Sequence, residues 1–172
     1  MRTYSNVQTA IANVPYALMV LSGAATIAWS FHLAAGAVAG AVAYALYGIG
    51  GTLWVMVFIC PYCAYYETRG CPCGYGTIAA RLAPKGDREC FAAKFRRHIG
   101  VIFPLWIVPA VCGGTALWRG GAHGALPALL AVFAVDAFVI LPLVSRRHSC
   151  AECPQKDTCP WMGRKRAART SA

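Results

Sequence analysis

Of the nine cysteines in this chain, eight lie in two basic stretches, 60–98 and 145–172. The first stretch carries Cys60-Pro-Tyr-Cys63 followed by Cys71-Pro-Cys73, with Cys90 further on. The second carries Cys150-x2-Cys153-Pro-x4-Cys159-Pro. Thiolates at such spacing are soft ligands for zinc or iron–sulfur centres. Four thiols in Cys60, Cys63, Cys71 and Cys73 suffice for one tetrahedral zinc or one cluster. Cys150, Cys153 and Cys159 supply three more, and Cys90 is the expected fourth, with His148 as the other candidate. The prolines, together with Gly70, Gly74 and Gly76, favour turns that wrap backbone around a centre.

Two metals remain open. Cys-Pro occurs four times, at Cys60, Cys71, Cys153 and Cys159, and a Pro after a ligand Cys is a feature of ferredoxin runs. Neither cluster has the full ferredoxin spacing, and the seven-residue gap between Cys63 and Cys71 is short for paired zinc ligands. Iron–sulfur is the first expectation, zinc the alternative. Cys60-Pro-Tyr-Cys63 also resembles the active-site dithiol of glutaredoxins. That likeness covers four residues and implies dithiol exchange, but the strand–helix context of such enzymes is missing from the sequence. A transporter of soft metal ions would need ligands along its path, and only Cys112, Asp136, Met19 and Met56 fall within the apolar runs.

These clusters must be positioned by membrane helices. Hydrophobic residues make up 58% of the chain and charged ones 13%, too few charges for an ordinary soluble domain. No charged residue occurs between Arg2 and Glu67, a run long enough for two spans of about 20 residues each. A second apolar block, Ile99 to Val144, is interrupted by Arg119, Gly120, Gly121 and His123. The expected spans are Val14–Leu33, Gly36–Ile59, Ile99–Trp118 and Leu126–Val144. The fold class is therefore an all-α integral membrane protein of four transmembrane helices, arranged as two hairpins. Residues 1–144 form the membrane domain, including a Cys-rich loop at 60–98, and residues 145–172 form a basic Cys-rich tail. A signal peptide with Arg2 as its basic region and Val14 to Phe31 as its core is the rival reading. That core is longer than usual, so a retained first span is expected.

The basic residues orient the chain. Fifteen of the sixteen Lys and Arg lie at the N-terminus (Arg2), in the loop or in the tail, and only Arg119 lies on the opposite side. The positive-inside rule then puts both termini and both Cys clusters in the cytoplasm, a reducing compartment where thiols bind metal more readily than they pair. The expected location is the cytoplasmic (inner or plasma) membrane. The net charge of +10 is read as membrane orientation and contact with anionic lipid, with no nucleic-acid partner expected.

Inside the spans, small residues recur at four-residue spacing in the second helix (Ala35, Ala39, Ala43; Gly36, Gly40, then Gly48), which suggests close packing on those faces. Pro104, Pro109 and Pro142 should loosen the third and fourth spans. Trp29, Trp54, Trp106 and Trp118 are expected as interfacial anchors. Asp136, mid-span, is costly unless satisfied. Its structural reading is a neutral acid bonded to Tyr44, Tyr47 or Thr115; its functional reading is a proton relay or quinone contact. His32, His98, His123 and His148 lie two on each side, as a two-haem bundle would require. All four sit at helix ends, so haem is disfavoured. The segment Arg88–His98 reads as a basic amphipathic helix at the interface. Taken together, the sequence points to iron–sulfur electron transfer by one subunit of a membrane redox assembly with protein partners. A zinc-stapled membrane scaffold is the alternative.

Overall fold

The computed structural model describes residues 3–32, 34–120, 124–150, 153–157 and 159–160, apart from the side chains of His148 and Ser149. Among these residues every regular element is helical: α1 (Asn6–Ser30), α2 (Ala35–Phe58), α3 (Tyr75–Leu82), α4 (Phe91–His98), α5 (Pro104–Trp118), α6 (Leu126–Val135) and α7 (Leu141–Val144). A π turn, Asp136–Ile140, joins α6 to α7. Four helical stretches are long and apolar enough to cross a membrane: Asn6–Ser30, Ala35–Tyr62, Arg88–Trp118 and Leu126–Arg147. The chain is a membrane protein. It falls into two compact units, one of Val14–Thr52 with Val101–Pro142, the other of Met1–Asn13, Leu53–Gly100 and Leu143–Ala172.

The first unit is the helical bundle. Its core combines Met19 and Ile27 of α1, Ala41 and Tyr44 of α2, Leu105 of α5, and Phe133 and Ala137 of the last span. Large apolar side chains also cover the outside, among them Val42, Leu46, Ile49, Ile107, Val111, Val135 and Phe138. In water such a surface would aggregate, whereas lipid solvates it. Of the small-residue faces expected on α2, Gly48 lies in the seam, where a Cβ would stand 3.0 Å from Val20, and the other members do not. Ala35, Ala39, Ala43, Gly36 and Gly40 are exposed, while Ala37, Ala41, Tyr44 and Gly48 are buried. Tyr44 sets that register, because its bulk and its hydroxyl both need the interior. Glycines elsewhere make room: a Cβ on Gly23 would lie 2.6 Å from the Tyr44 hydroxyl, and one on Gly113 would lie 2.9 Å from both Leu130 and Thr26.

The prolines explain three aromatic contacts. Pro109 has no N–H for the carbonyl of Leu105, and the Tyr44 hydroxyl donates to that oxygen at 2.7 Å. Pro104 likewise removes a donor near Val101, whose carbonyl accepts the Tyr47 hydroxyl at 2.5 Å. In the π turn the Leu141 N–H reaches back to the carbonyl of Asp136. The next donor in that ladder would be residue 142, a proline. The Ala137 carbonyl it leaves open takes the Trp106 indole N–H at 3.0 Å. Trp106, expected as an anchor, is therefore a donor inside the bundle, because the orphaned carbonyl has no water to turn to.

The second unit contains the Cys-rich segments. Helix α1 begins eight residues earlier than Val14, because Ser5 and Gln8 form a reciprocal cap: Ser5 N–H donates to Gln8 Oε1 at 3.0 Å and Gln8 N–H to Ser5 Oγ at 3.3 Å. These first turns serve the loop. Tyr4 N–H donates to the Arg69 carbonyl at 3.0 Å, and Asn13 Nδ2 donates to the Cys73 carbonyl at 3.1 Å. Within the loop, α3 packs Ala79 with Met56 and Tyr66. The expected interfacial helix over Arg88–His98 is a short turn, Arg88–Cys90, followed by α4. Asp87 caps that turn, accepting the Glu89 N–H at 3.0 Å.

Candidate metal centre

Each cluster contains a Cys-x2-Cys pair, and both pairs are closed in the same way. Cys63 N–H donates to the Cys60 carbonyl at 3.0 Å, and Cys153 N–H donates to the Cys150 carbonyl at 3.2 Å. Such closure brings side chains three residues apart to one side. In each pair the second sulfur then accepts a backbone N–H two residues on, Cys63 from Tyr65 and Cys153 from Gln155. Amides aimed at sulfur stabilise negative charge on it, as thiolate-held centres require. Cys71 starts a third turn, its carbonyl accepting the Gly74 N–H at 3.0 Å. Gly74 is left-handed (φ 73°) and precedes α3.

The two clusters meet within this unit. Cys60 lies in electrostatic range of Cys63, Cys71 and Cys73. Cys63 also feels Cys153 and Cys159 of the tail, and Cys153 feels Cys71 of the loop. Seven thiols are thus linked by pairwise electrostatic range, with Cys63, Cys71 and Cys153 connecting loop to tail. Burial pushes the Cys63 thiol up to about 12, the Tyr65 amide pulling it down and the neighbouring Cys153, Cys71 and Cys159 adding to the rise. Burial likewise takes Cys150 up to about 11, reinforced by Cys159 and Cys153 against the pull of Arg146. Cys153 is raised by burial first, with the Gln155 amide opposing. Burial therefore favours the neutral thiol at Cys63, Cys150 and Cys153.

Gln155 sews the tail to the loop, a role the sequence reading did not assign. Its Oε1 accepts the Ala64 N–H at 2.7 Å, and its Nε2 donates to the carbonyls of Tyr62 at 3.4 Å and Arg88 at 3.5 Å. One amide therefore touches the residue after Cys63 and the turn that ends in Cys90. Lys94 lies over the Tyr62 ring at 5.1 Å, adding a cation–π contact to the same corner.

Soft sulfur donors presented on turns fit zinc or an iron–sulfur cluster. Among the described residues no three Cys, His, Asp or Glu side chains are grouped closely enough to hold a metal ion. Cys90, the expected fourth ligand, is exposed at the end of its turn. Cys112 is partly buried against the bundle core.

The remaining candidates lie apart from the thiols or outside the description. His98 stacks on Phe58 (centroids 5.1 Å apart, planes at 19°) and stands 5.9 Å from Trp54. His32 is exposed, with a left-handed backbone (φ 55°) in the turn after α1. His123 and the His148 side chain lie outside the described residues. Asp136 is buried in the bundle, but the partners expected for it are engaged elsewhere: Tyr44 with Leu105, Tyr47 with Val101, and Thr115 with Val111 and Cys112. Compared with known proteins, the chain matches no family, no curated sequence and no solved structure.

Proposed function

We propose that the two Cys clusters bind metal together on the cytoplasmic side of a four-span membrane protein, and that the metal is iron held as iron–sulfur. When bound, such a cluster accepts and releases single electrons. The chain's own residues gather the thiolates, direct amides at their sulfurs and hold the ensemble beside the bilayer. In this reading the protein is one subunit of a membrane redox assembly, passing electrons between a cytoplasmic donor and a membrane partner or quinone. The orientation rests on the charge count, fifteen basic residues against one, which makes two hairpins with both ends inside.

What supports this reading is that the loop and tail belong to one compact unit in which Cys63 lies in electrostatic range of Cys153 and Cys159, and Cys153 of Cys71. Seven sulfurs exceed the need of one zinc and approach that of two four-thiolate centres. A second reading has its own support. The paired turns closed by Cys63 and Cys153 N–H groups also suit tetrahedral zinc, which would staple loop to tail with no redox role.

Cysteine substitution in anaerobically purified protein tests the choice. The proposal expects visible absorption that dithionite bleaches, reduced in Cys60→Ser and reduced separately in Cys153→Ser. A colourless protein from which both variants lose zinc would establish the staple instead.

A further inference from the structure

Apart from one residue, the buried polar side chains of the bundle have partners. Ser22, Thr26 and Ser30 recur every four residues on the buried face of α1. They donate their hydroxyls to the carbonyls of Leu18 at 2.7 Å, Ser22 at 2.8 Å and Thr26 at 2.7 Å. Asp136 is the exception. It is 1% exposed, and among the described residues neither carboxyl oxygen has a hydrogen-bond partner. It is the eleventh residue of the 22-residue span Leu126–Arg147, where water does not reach to compensate.

Among the described residues of this unit the one fixed positive charge is Arg119, beyond the end of α5. The ionisable side chains described in this unit are Tyr16 of α1, Tyr44 and Tyr47 of α2, Cys112 of α5, and His32 and Arg119 beyond helix ends. Tyr16, Tyr44 and Tyr47 donate to the carbonyls of Gly48, Leu105 and Val101. His32 and Arg119 are exposed. The tyrosine hydroxyls of this unit are thus committed to backbone carbonyls. The backbone at Asp136 is also locally widened by the π turn, a geometry concentrated at functional sites. The Trp106 bond to Ala137 holds that turn in place.

A buried, unpartnered carboxyl in mid-membrane takes a cation. We propose that Asp136 is the acidic centre of an intramembrane site for a monovalent cation, filled by a proton or by sodium. The site stands independently of the cysteine reading, since it needs no metal in the second unit.

Infrared spectroscopy of the full-length protein in lipid reads it directly, because a protonated carboxyl has a carbonyl stretch that a carboxylate lacks. In sodium-free buffer at neutral pH the band is expected in the wild type and lost in D136N. Its loss on raising the pH alone identifies the proton as the occupant; its loss on adding sodium at fixed pH identifies sodium. Isotope-labelled aspartate in the wild type gives the same assignment if D136N does not fold, since only three Asp occur in the chain. A spectrum with no Asp136 band under any condition, or a band that neither pH nor sodium moves, would overturn the proposal.

Discussion

At the scale of single residues, the bundle is governed by what proline takes away. Pro104, Pro109 and Pro142 were legible as disturbances, but their partners were not. Tyr44 and Leu105 are 61 positions apart, and only the packed bundle brings them together. Removing the hydroxyl in Tyr44→Phe should cost about 1–3 kcal/mol, the penalty of a buried orphan carbonyl, seen as a lower midpoint of thermal unfolding in detergent. Pro109→Ala supplies the missing N–H, so the Tyr44→Phe cost should shrink in that background; an unchanged cost would break the link between the two residues. The thiols give a pH prediction. Cys63 and Cys150 are raised by burial to about 12 and about 11, above the unfolded thiol value of about 8.5. The unfolded chain therefore loses protons first, and metal-free stability should be full near neutrality and fall as pH climbs from about 8.5 toward 12. Chelator-treated protein unfolded thermally at stepped pH will show that fall, and metal-loaded protein, whose ligands are already thiolates, should resist it.

At the scale of elements, long apolar runs were readable and short polar devices were not. All four spans were visible from length and charge. The early start of α1 was missed, although Ser5 and Gln8 are a recognisable capping pair. So was α3, whose eight residues follow a glycine-rich turn and offer too little periodicity. Its packing of Ala79 on Met56 and Tyr66 needs glycine at position 76, where a Cβ would overlap the carbonyl oxygen of Tyr65 in the turn after Cys63. Gly76→Ala should therefore open the loop, raising protease cleavage at Arg69 and Arg81. Gly50→Ala, with nothing within 4 Å, should be neutral or stabilising by up to about 1 kcal/mol. Gln155→Ala tests the latch between tail and loop. Alkylation of Cys150, Cys153 and Cys159 should speed up in the metal-free variant, while Cys112, in the bundle, should keep its rate. Equal rates in variant and wild type would show that the tail docks without Gln155.

At the scale of the whole molecule, the sequence separates loop from tail by some fifty residues of apolar chain, yet the fold assigns both to one unit. The charge-derived topology, with both segments leaving one membrane face, already allowed two adjacent centres or one shared site; spacing alone did not say which thiols of loop and tail come within range of each other. The central claim is that those thiols hold iron and sulfide. The most direct measurement is an anaerobic assay of iron, zinc and acid-labile sulfide on one detergent preparation. Iron and sulfide are expected in near-equal amounts, as in thiolate-held clusters, with little zinc. Stoichiometric zinc without sulfide would contradict it and leave a metal-stapled membrane scaffold.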